Sequence, residues 1–263
     1  MAFALTSMKR LGVLSALTVL FLYGGLFLSL AWFIEPTVLG GLLSSPRTLA
    51  AIRLSLGAAT VATLIAILVA TPAAYALSRY PFPGRGVVDT LLEFPIIVSP
   101  AALGAILLIF FTNPAGEWVQ ESFVRFVFTP AGIVLAQFVT ILGVAVRTIK
   151  TAFDEVPVEM ETVARTLGAP PHRIFTTVTL PLARNGMIAA FIICWAKAMG
   201  EFGATLMVAG TMAMRTETLP IAIFMRLSTA DIEGSVALIL VLILIGLSSL
   251  FIARRFLERR IDA

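Results

Sequence analysis

The segment LSLGAATVATLIAILVATPAAYALS (Leu54–Ser78) runs for 25 residues without a charged side chain. A helix of about 20 such residues is long enough to cross the hydrocarbon layer of a membrane. Four further charge-free segments reach that length: Leu11–Ile34, Phe94–Gly116, Phe126–Val146 and Gly234–Ala253. Because 59% of the 263 residues are hydrophobic and 13% are charged, one water-soluble core could not bury this surface. The composition predicts an all-α integral membrane protein with a single transmembrane domain over residues 1–263.

A sixth apolar segment, Asn185–Met214, is interrupted by Lys197 and Glu201. Counting it gives six transmembrane helices, which place both termini on one side of the membrane. The opposite side would hold only five basic residues: Arg47, Arg53, Arg125, Arg215 and Arg226. Since Lys and Arg accumulate in cytoplasmic loops, both termini are predicted to be cytoplasmic. A signal peptide is the alternative for Leu11–Ile34, although this run is longer than the roughly 7–15 apolar residues usual there.

The sequence lacks the residues that several enzyme chemistries need. The single histidine, His172, lies in a polar loop and excludes an HExxH metalloprotease. No lysine follows a glycine, so the GxxxxGK[ST] phosphate loop is absent. The single Cys194 excludes a disulfide within the chain and is expected to be a small buried packing residue. We predict no catalytic, metal or cofactor site in this chain, so any ATP and Mg²⁺ would be bound by a partner.

The longest loop on the basic side, about residues 153–182, contains a short amphipathic helix. Its apolar stripe has helical spacing and consists of Val156, Met160, Val163, Ala164 and Leu167. Pro157 suits the first turn, and Glu161 can pair with Arg165 one turn later. Gly168, which is followed by Ala169 and two prolines, is predicted to end the helix in a left-handed conformation. Such a helix either rests on lipid headgroups or docks into a groove of another protein.

Part of this loop resembles the cytoplasmic signature of ABC importer permeases, which reads Glu-Ala-Ala, then Gly, then Ile-x-Leu-Pro. The matching residues are Ala164, Gly168, Val178, Leu180 and Pro181. The glutamate of the signature falls on Thr162 and its first alanine on Val163, with Glu161 next to them. The resemblance implies that the helix is a coupling helix that docks into an ATPase subunit. The residues implied in coupling are Val156, Met160, Glu161, Val163, Ala164, Leu167, Gly168 and Ala169.

Three further segments are similar to permeases of molybdate, tungstate and sulfate importers: FPIIVSPAALG (Phe94–Gly104), KAMGEFGATLMVAG (Lys197–Gly210) and RTETLPIAIF (Arg215–Phe224). The resemblance implies a multi-pass permease in the inner or plasma membrane of a prokaryote. It also implies a homodimer with two ATP-binding cassette subunits and an extracytoplasmic binding protein. Molybdate or tungstate is the expected cargo, with sulfate or thiosulfate as the alternative. A secondary transporter or channel that acts without an ATPase is the other alternative, and it leaves the docking loop unexplained.

Two spans carry the helix-breaking residues that mark transport pathways, because irregular backbone at membrane depth must face protein or water. The pathway candidates are Pro95, Ser99 and Pro100 in the third span and Gly200, Gly203 and Thr205 in the fifth. The alternative is that the prolines form tolerated kinks and the glycines allow close helix packing.

Lys197 and Glu201 lie four residues apart, so a continuous helix would place them on one face. Charged groups are costly at membrane depth, and both are therefore expected to face the interior of the helix bundle. The favoured interpretation is a mutually neutralising structural pair. The alternative is a cationic site at Lys197 that touches the passing anion.

Overall fold

The computed structural model describes the backbone of residues 2–258 and shows an almost entirely helical chain. In chain order the helices are α1 (Ala2–Ala31), α2 (Pro36–Leu43), α3 (Pro46–Arg79), α4 (Arg85–Ile97), α5 (Pro100–Phe111), α6 (Pro114–Ser122), α7 (Pro130–Asp154), α8 (Val158–Thr166), α9 (Pro171–Ile174), α10 (Leu180–Met199), α11 (Gly203–Ala209), α12 (Leu219–Ser228) and α13 (Ile232–Glu258). A π-helical turn, Phe175–Thr179, joins α9 to α10, so that Pro171–Met199 is one continuous helical segment of 29 residues.

Among the described residues, five helical segments are long and apolar enough to cross a membrane: Leu11–Ala31, Pro46–Arg79, Pro130–Asp154, Pro171–Met199 and Ile232–Ser249. A sixth span results if the bent pair α4 and α5 is counted as one. The predicted all-α architecture is therefore confirmed, with five candidate spans, or six when the bent pair is counted as one. The predicted cytoplasmic position of the termini stays a prediction.

The centre of the bundle is built from α3, α7 and α10, which meet through small side chains. Five alanines of α3 are completely buried and follow one another at steps of three or four residues: Ala59, Ala62, Ala66, Ala70 and Ala74. They belong to the same core as Ile141, Ala145 and Ile149 of α7 and as Cys194 of α10. Small residues allow helix backbones to approach closely within a membrane. Cys194 is buried, as its apolar surroundings in the sequence predict.

The third span is not a continuous helix. The chain leaves α4 at Ile97, passes through the extended residues Val98 and Ser99, and starts α5 at Pro100 with a bend of 108° between the two helices. The Ser99 side chain caps α5 by accepting a hydrogen bond from the Ala102 backbone N–H at 3.3 Å. The break predicted from the prolines is confirmed, and it lies between them.

The helix of the fifth span ends earlier than the predicted Asn185–Met214. Helix α10 ends at Met199, and residues 200–202 separate it from the seven-residue helix α11. The Glu201 carboxylate accepts a hydrogen bond from the Ala204 backbone N–H at 3.0 Å, which favours a new helix start rather than a continued α10. The last six residues of the RTETLPIAIF segment begin α12 (Leu219–Ser228), whose ten residues are too few for a span.

Candidate functional site

The predicted coupling helix is present as α8, and its C-terminal end has the geometry that the sequence predicts. Gly168 has φ +83°, and its N–H donates to the Arg165 carbonyl at 3.0 Å. The Ala169 N–H donates to the Ala164 carbonyl at 3.1 Å, which completes a Schellman motif. The left-handed stop at Gly168 is confirmed, while the helix itself begins at Val158 rather than at Val156.

Helix α8 exposes an apolar surface. Leu167 is 82% exposed, and Val158, Met160 and Val163 are each more than half exposed. We call these four residues the docking face. Ala164 and Ala169 are half-buried beside it, and Gly168 is exposed. Val156, predicted to share the stripe, is buried instead, because it precedes the helix and packs beside Phe153 of α7.

Glu161 is buried and does not belong to the docking face. Its side chain is 3% exposed, and Oε1 lies 2.9 Å from Nε of Arg79, whose side chain is 8% exposed. Glu161 also accepts a hydrogen bond from the Thr179 hydroxyl at 2.8 Å. The predicted pairing of Glu161 with Arg165 is therefore wrong. The carboxylate points toward α3, because a buried guanidinium is available there and Arg165 is exposed to solvent.

The remaining N–H groups of Arg79 donate to backbone carbonyls around the end of α7 and to the neighbouring Ser78 of α3. Its Nη2 donates to the backbone carbonyls of Phe153 at 2.9 Å and Val156 at 2.8 Å, and Nη1 donates to the Ser78 hydroxyl at 3.0 Å. We call Arg79 and these partners, together with Glu161 and Thr179, the Arg79 hub. Beside the hub the rings of Tyr75, Phe153 and Phe175 pack with centroids 4.8 to 6.0 Å apart. The hub thus joins α3, the end of α7, α8 and the π-helical turn before α10.

The structure brings the breaks of the third and fifth spans together. A Cβ added to Gly203 would lie 2.8 Å from the Ala101 backbone nitrogen, and one added to Gly104 would lie 2.7 Å from Cα of Ala204. Helices α5 and α11 therefore touch through their backbones. Gly203 serves close helix packing, and Thr205 is fully buried, with a hydroxyl that has no partner among the described residues.

Three of the other pathway candidates are exposed, unlike Gly203 and Thr205. Ser99 and Pro100 are exposed at the start of α5, and Gly200 is exposed at the end of α10. Pro95 is half-buried within α4, where it and Leu92 pack against Gly143 of α7. Ser99, Pro100 and Gly200 therefore remain candidates for a surface that faces a pathway.

Lys197 and Glu201 do not form the predicted pair. Helix α10 ends between them, so Glu201 lies outside the helix, is buried, and caps the start of α11. Lys197 is exposed on α10, and its ammonium makes no ion pair or hydrogen bond with any residue that the structure describes. The prediction failed because i,i+4 neighbours share a face only in an uninterrupted helix.

A second ion pair lies at the opposite end of the bundle. Arg47 at the start of α3 forms a bidentate ion pair with the buried Glu217. Its Nη2 donates to Oε1 at 2.6 Å and its Nε to Oε2 at 2.7 Å. Next to it the Leu219 N–H donates to the Ser55 hydroxyl at 2.8 Å. The TET part of the RTETLPIAIF segment is therefore a buried anchor. Arg79 and Arg47 were both missed as site residues, because their partners are 82 and 170 residues away in the sequence.

Among the side chains that the structure describes, no three from His, Cys, Asp or Glu form a group that could hold a metal ion. The described chain is a helix bundle with the amphipathic helix α8 at one end and the broken third and fifth spans in its middle.

Comparison with known proteins agrees with this arrangement. The profile of the family of binding-protein-dependent transport system inner membrane components matches residues 62–263. Since this is more than half of the chain, the protein belongs to that family and is a multi-pass inner-membrane permease of the ABC importer type.

Relatives at the sequence level include permeases for two oxyanions. The chain is 34% identical over 207 residues to the molybdenum transport system permease protein ModB of Escherichia coli, covering 77% of this chain and 90% of the relative. It is 39% identical over 196 residues to a probable molybdenum ABC transporter permease of Haloferax volcanii, covering 73% and 70%. It is 31% identical over 211 residues to the sulfate transport system permease protein CysT of Escherichia coli, covering 80% and 76%.

A solved structure shows the same fold. It is a bacterial alginate ABC transporter in complex with an alginate pentasaccharide-bound periplasmic protein, with a TM-score of 0.72. The match covers 96% of this chain and 98% of that one at 16% sequence identity.

Proposed function

We propose that this permease imports a small tetrahedral oxyanion of the molybdate class. Support comes from the relatives named as molybdenum permeases, at 34% and 39% identity. Sulfate is the second candidate, because the sulfate permease is still 31% identical.

The observation that carries an ATP-driven mechanism is the build of α8. Its docking face is apolar and exposed, while its opposite side is held by the buried ion pair of Glu161 and Arg79. A helix that only rested on lipid headgroups would have no need of a buried anchor to a neighbouring span. In our proposal the docking face enters a groove of an ATP-binding cassette subunit, which binds the ATP and Mg²⁺.

The Arg79 hub gives a path by which movement of α8 reaches the membrane. A displacement of α8 acts on α3 and α7 through Arg79 and on the fifth span through Thr179. The proposed assembly contains two copies of this chain, two ATPase subunits and an extracytoplasmic binding protein that delivers the anion. Closure of the ATPases would bring the two α8 helices together and change the side to which the pathway opens.

The test is uptake by proteoliposomes that contain the purified permease and ATPase, with binding protein loaded with molybdate, tungstate, sulfate or thiosulfate. We expect ATP-dependent uptake of molybdate and tungstate, with much less uptake of sulfate. Uptake that prefers sulfate would overturn the cargo. Uptake that persists without the ATPase would overturn the ATP-driven mechanism.

Orientation is tested separately by single cysteines at Ser45, Ser228 and His172. The native Cys194 is buried and serves as the unlabelled background. We expect an impermeant reagent to label the cysteines at Ser45 and Ser228 from outside and not the one at His172. Labelling of the cysteine at His172 from outside would reverse the predicted topology.

A further inference from the structure

Lys197 lies in the membrane without a counter-charge from its own protomer. It is exposed on α10, one turn after the exposed Ile193, and two residues before the helix ends. The acid nearest in sequence, Glu201, is buried beyond the helix end and accepts its hydrogen bond from the Ala204 N–H. Lys197 therefore presents a free ammonium group to whatever covers this face of α10.

The depth of Lys197 follows from contacts on both sides of it. Trp195 donates a hydrogen bond to the Thr60 hydroxyl at 3.0 Å, and Thr60 lies near the middle of the 34-residue α3. Against α7, Gly186 of α10 packs on Ala152, and Ala204 of α11 packs with Ala136. Interpolation between these contacts places Lys197 level with about Leu142, the middle residue of α7.

At this depth lipid is an unsuitable neighbour for the ammonium group. With the middle of α7 placed at the middle of the hydrocarbon layer, the nearest interface is about 15 Å from Lys197, which exceeds the reach of a four-carbon stem. Charged side chains in membrane spans almost always face the bundle interior or a water-filled cavity. The protomer interior is excluded because Lys197 is exposed. What remains is a surface enclosed by the assembly.

The surroundings of Lys197 favour a water-filled path at that surface. The breaks of the third and fifth spans meet through Ala101 and Gly203, close to the end of α10. Exposed irregular backbone is present on both sides of this contact, at Ser99 and at Gly200. Such backbone is tolerated at membrane depth only where it faces protein or water.

We propose that Lys197 is an anion-contact residue of the translocation pathway, where its ammonium group attracts the doubly charged oxyanion in transit. This inference rests on the proposed function. A two-fold symmetric dimer presents every surface twice around its axis, so a path along that axis offers both Lys197 ammonium groups to one dianion. The lysine is a hydrated point charge, which suits attraction followed by release.

The first experiment compares Lys197→Met, Lys197→Arg and Ile193→Met in the complete permease, ATPase and binding-protein complex. Ile193→Met is the control on the same exposed face without a change of charge. We expect Lys197→Met to lower molybdate uptake by about tenfold or more, and Lys197→Arg to keep most of it. Thermal stability should stay near the wild-type value in all three, and Ile193→Met should also keep wild-type uptake.

The second experiment restores the charge chemically. Lys197→Cys is treated during turnover with an aminoethyl or a sulfonatoethyl methanethiosulfonate, and the wild-type chain with its buried Cys194 is the control. We expect the aminoethyl reagent to recover uptake and the sulfonatoethyl reagent not to do so. A pathway residue must be reachable from water. The proposal would therefore be overturned if neither reagent labelled the cysteine at position 197 during turnover.

Wild-type uptake by Lys197→Met would also overturn the proposal, as would loss of stability in that variant with recovery in Lys197→Met/Glu201→Gln. A wrong cargo in the proposed function would give a different result from a wrong role for Lys197. If the wild-type complex imports sulfate in place of molybdate, the cargo is wrong, and the Lys197 variants are then scored on sulfate uptake.

Discussion

The Arg79 hub and the contact between the breaks of the third and fifth spans differ in how their charged side chains are compensated. At the hub a buried guanidinium donates four hydrogen bonds, and the buried carboxylate of Glu161 accepts from both Arg79 and Thr179. At the breaks Lys197 is exposed and has no partner within the described chain, and Glu201 caps a helix instead of neutralising it.

The difference separates charges that hold the protomer together from charges that need something outside it. Buried charges are tolerated when they are paired and their remaining donors are used, and Arg79 meets both conditions. A charge without a partner in the protomer must be compensated by water, a second subunit or a passing ligand. The following changes test this division, in order of decreasing expected effect.

The largest effect is expected for Arg79→Met, which leaves Glu161 buried without a counter-charge. Breaking a buried pair on one side costs about 3–5 kcal/mol. Arg147→Met is the matched control, because Arg147 and Glu93 form a pair whose side chains are 55% and 42% exposed and is expected to contribute about 1 kcal/mol or less. Thermal unfolding of the purified complexes measures both. Equal and small shifts would show that the hub does not stabilise the protein.

The second largest effect is expected at the contact between α5 and α11. This contact depends on close backbone packing and not on ion pairs. The Cβ of Gly104→Ala would lie 2.7 Å from Cα and 2.8 Å from the carbonyl oxygen of Ala204, both of them backbone atoms. We expect a destabilisation of about 1–3 kcal/mol. Gly246→Ala in α13 meets no atom within 4 Å and should be neutral or stabilising by up to about 1 kcal/mol. A Gly104→Ala variant as stable as Gly246→Ala would mean that α5 and α11 are not in close contact.

How much of this could be predicted depends on whether a feature is local. The spans follow from composition alone, because a helix that faces lipid needs only apolar residues along its own length. The left-handed end of α8 and the break before α5 follow from Gly168 and from the proline that starts α5. These features are determined by a few neighbouring residues.

The charged sites needed long-range information. No pattern in the sequence links Arg79 to Glu161, whereas Arg165 lies four residues after Glu161 and was therefore predicted as its partner. At the breaks the sequence did contain a signal, since Gly200 stands between Lys197 and Glu201 and glycine weakens a helix. The pairing was predicted on the assumption that α10 continues.

The coupling helix provides a smaller test, because Gly168 has a positive φ but no neighbouring atoms for a side chain to meet. Gly168→Val should therefore cost about 1–2 kcal/mol through its left-handed backbone alone. Stimulated ATP hydrolysis should fall while the dimer still assembles, because the loop after α8 is misdirected. Ala164→Asp tests the same surface by adding a charge beside the docking face. If both variants hydrolyse ATP at the wild-type stimulated rate, α8 is not the coupling helix.

The smallest effect on stability is expected where the sequence alone predicted a large one. Lys197→Met, Glu201→Gln and the double variant form a thermodynamic cycle, in which a neutralising pair would show a coupling of about 0.5–3 kcal/mol. Because α10 ends between the two residues and no contact joins them, we expect the single effects to add within about 0.5 kcal/mol. Glu201→Gln keeps a carbonyl oxygen that can accept from the Ala204 N–H, so its own effect should be small.

The same cycle on Arg79 and Glu161 provides the positive control, and thermal stability of all the variants is measured under one condition. A coupling above about 1 kcal/mol for Lys197 and Glu201 would show that the two charges meet, and would remove the distinction between the hub and the breaks.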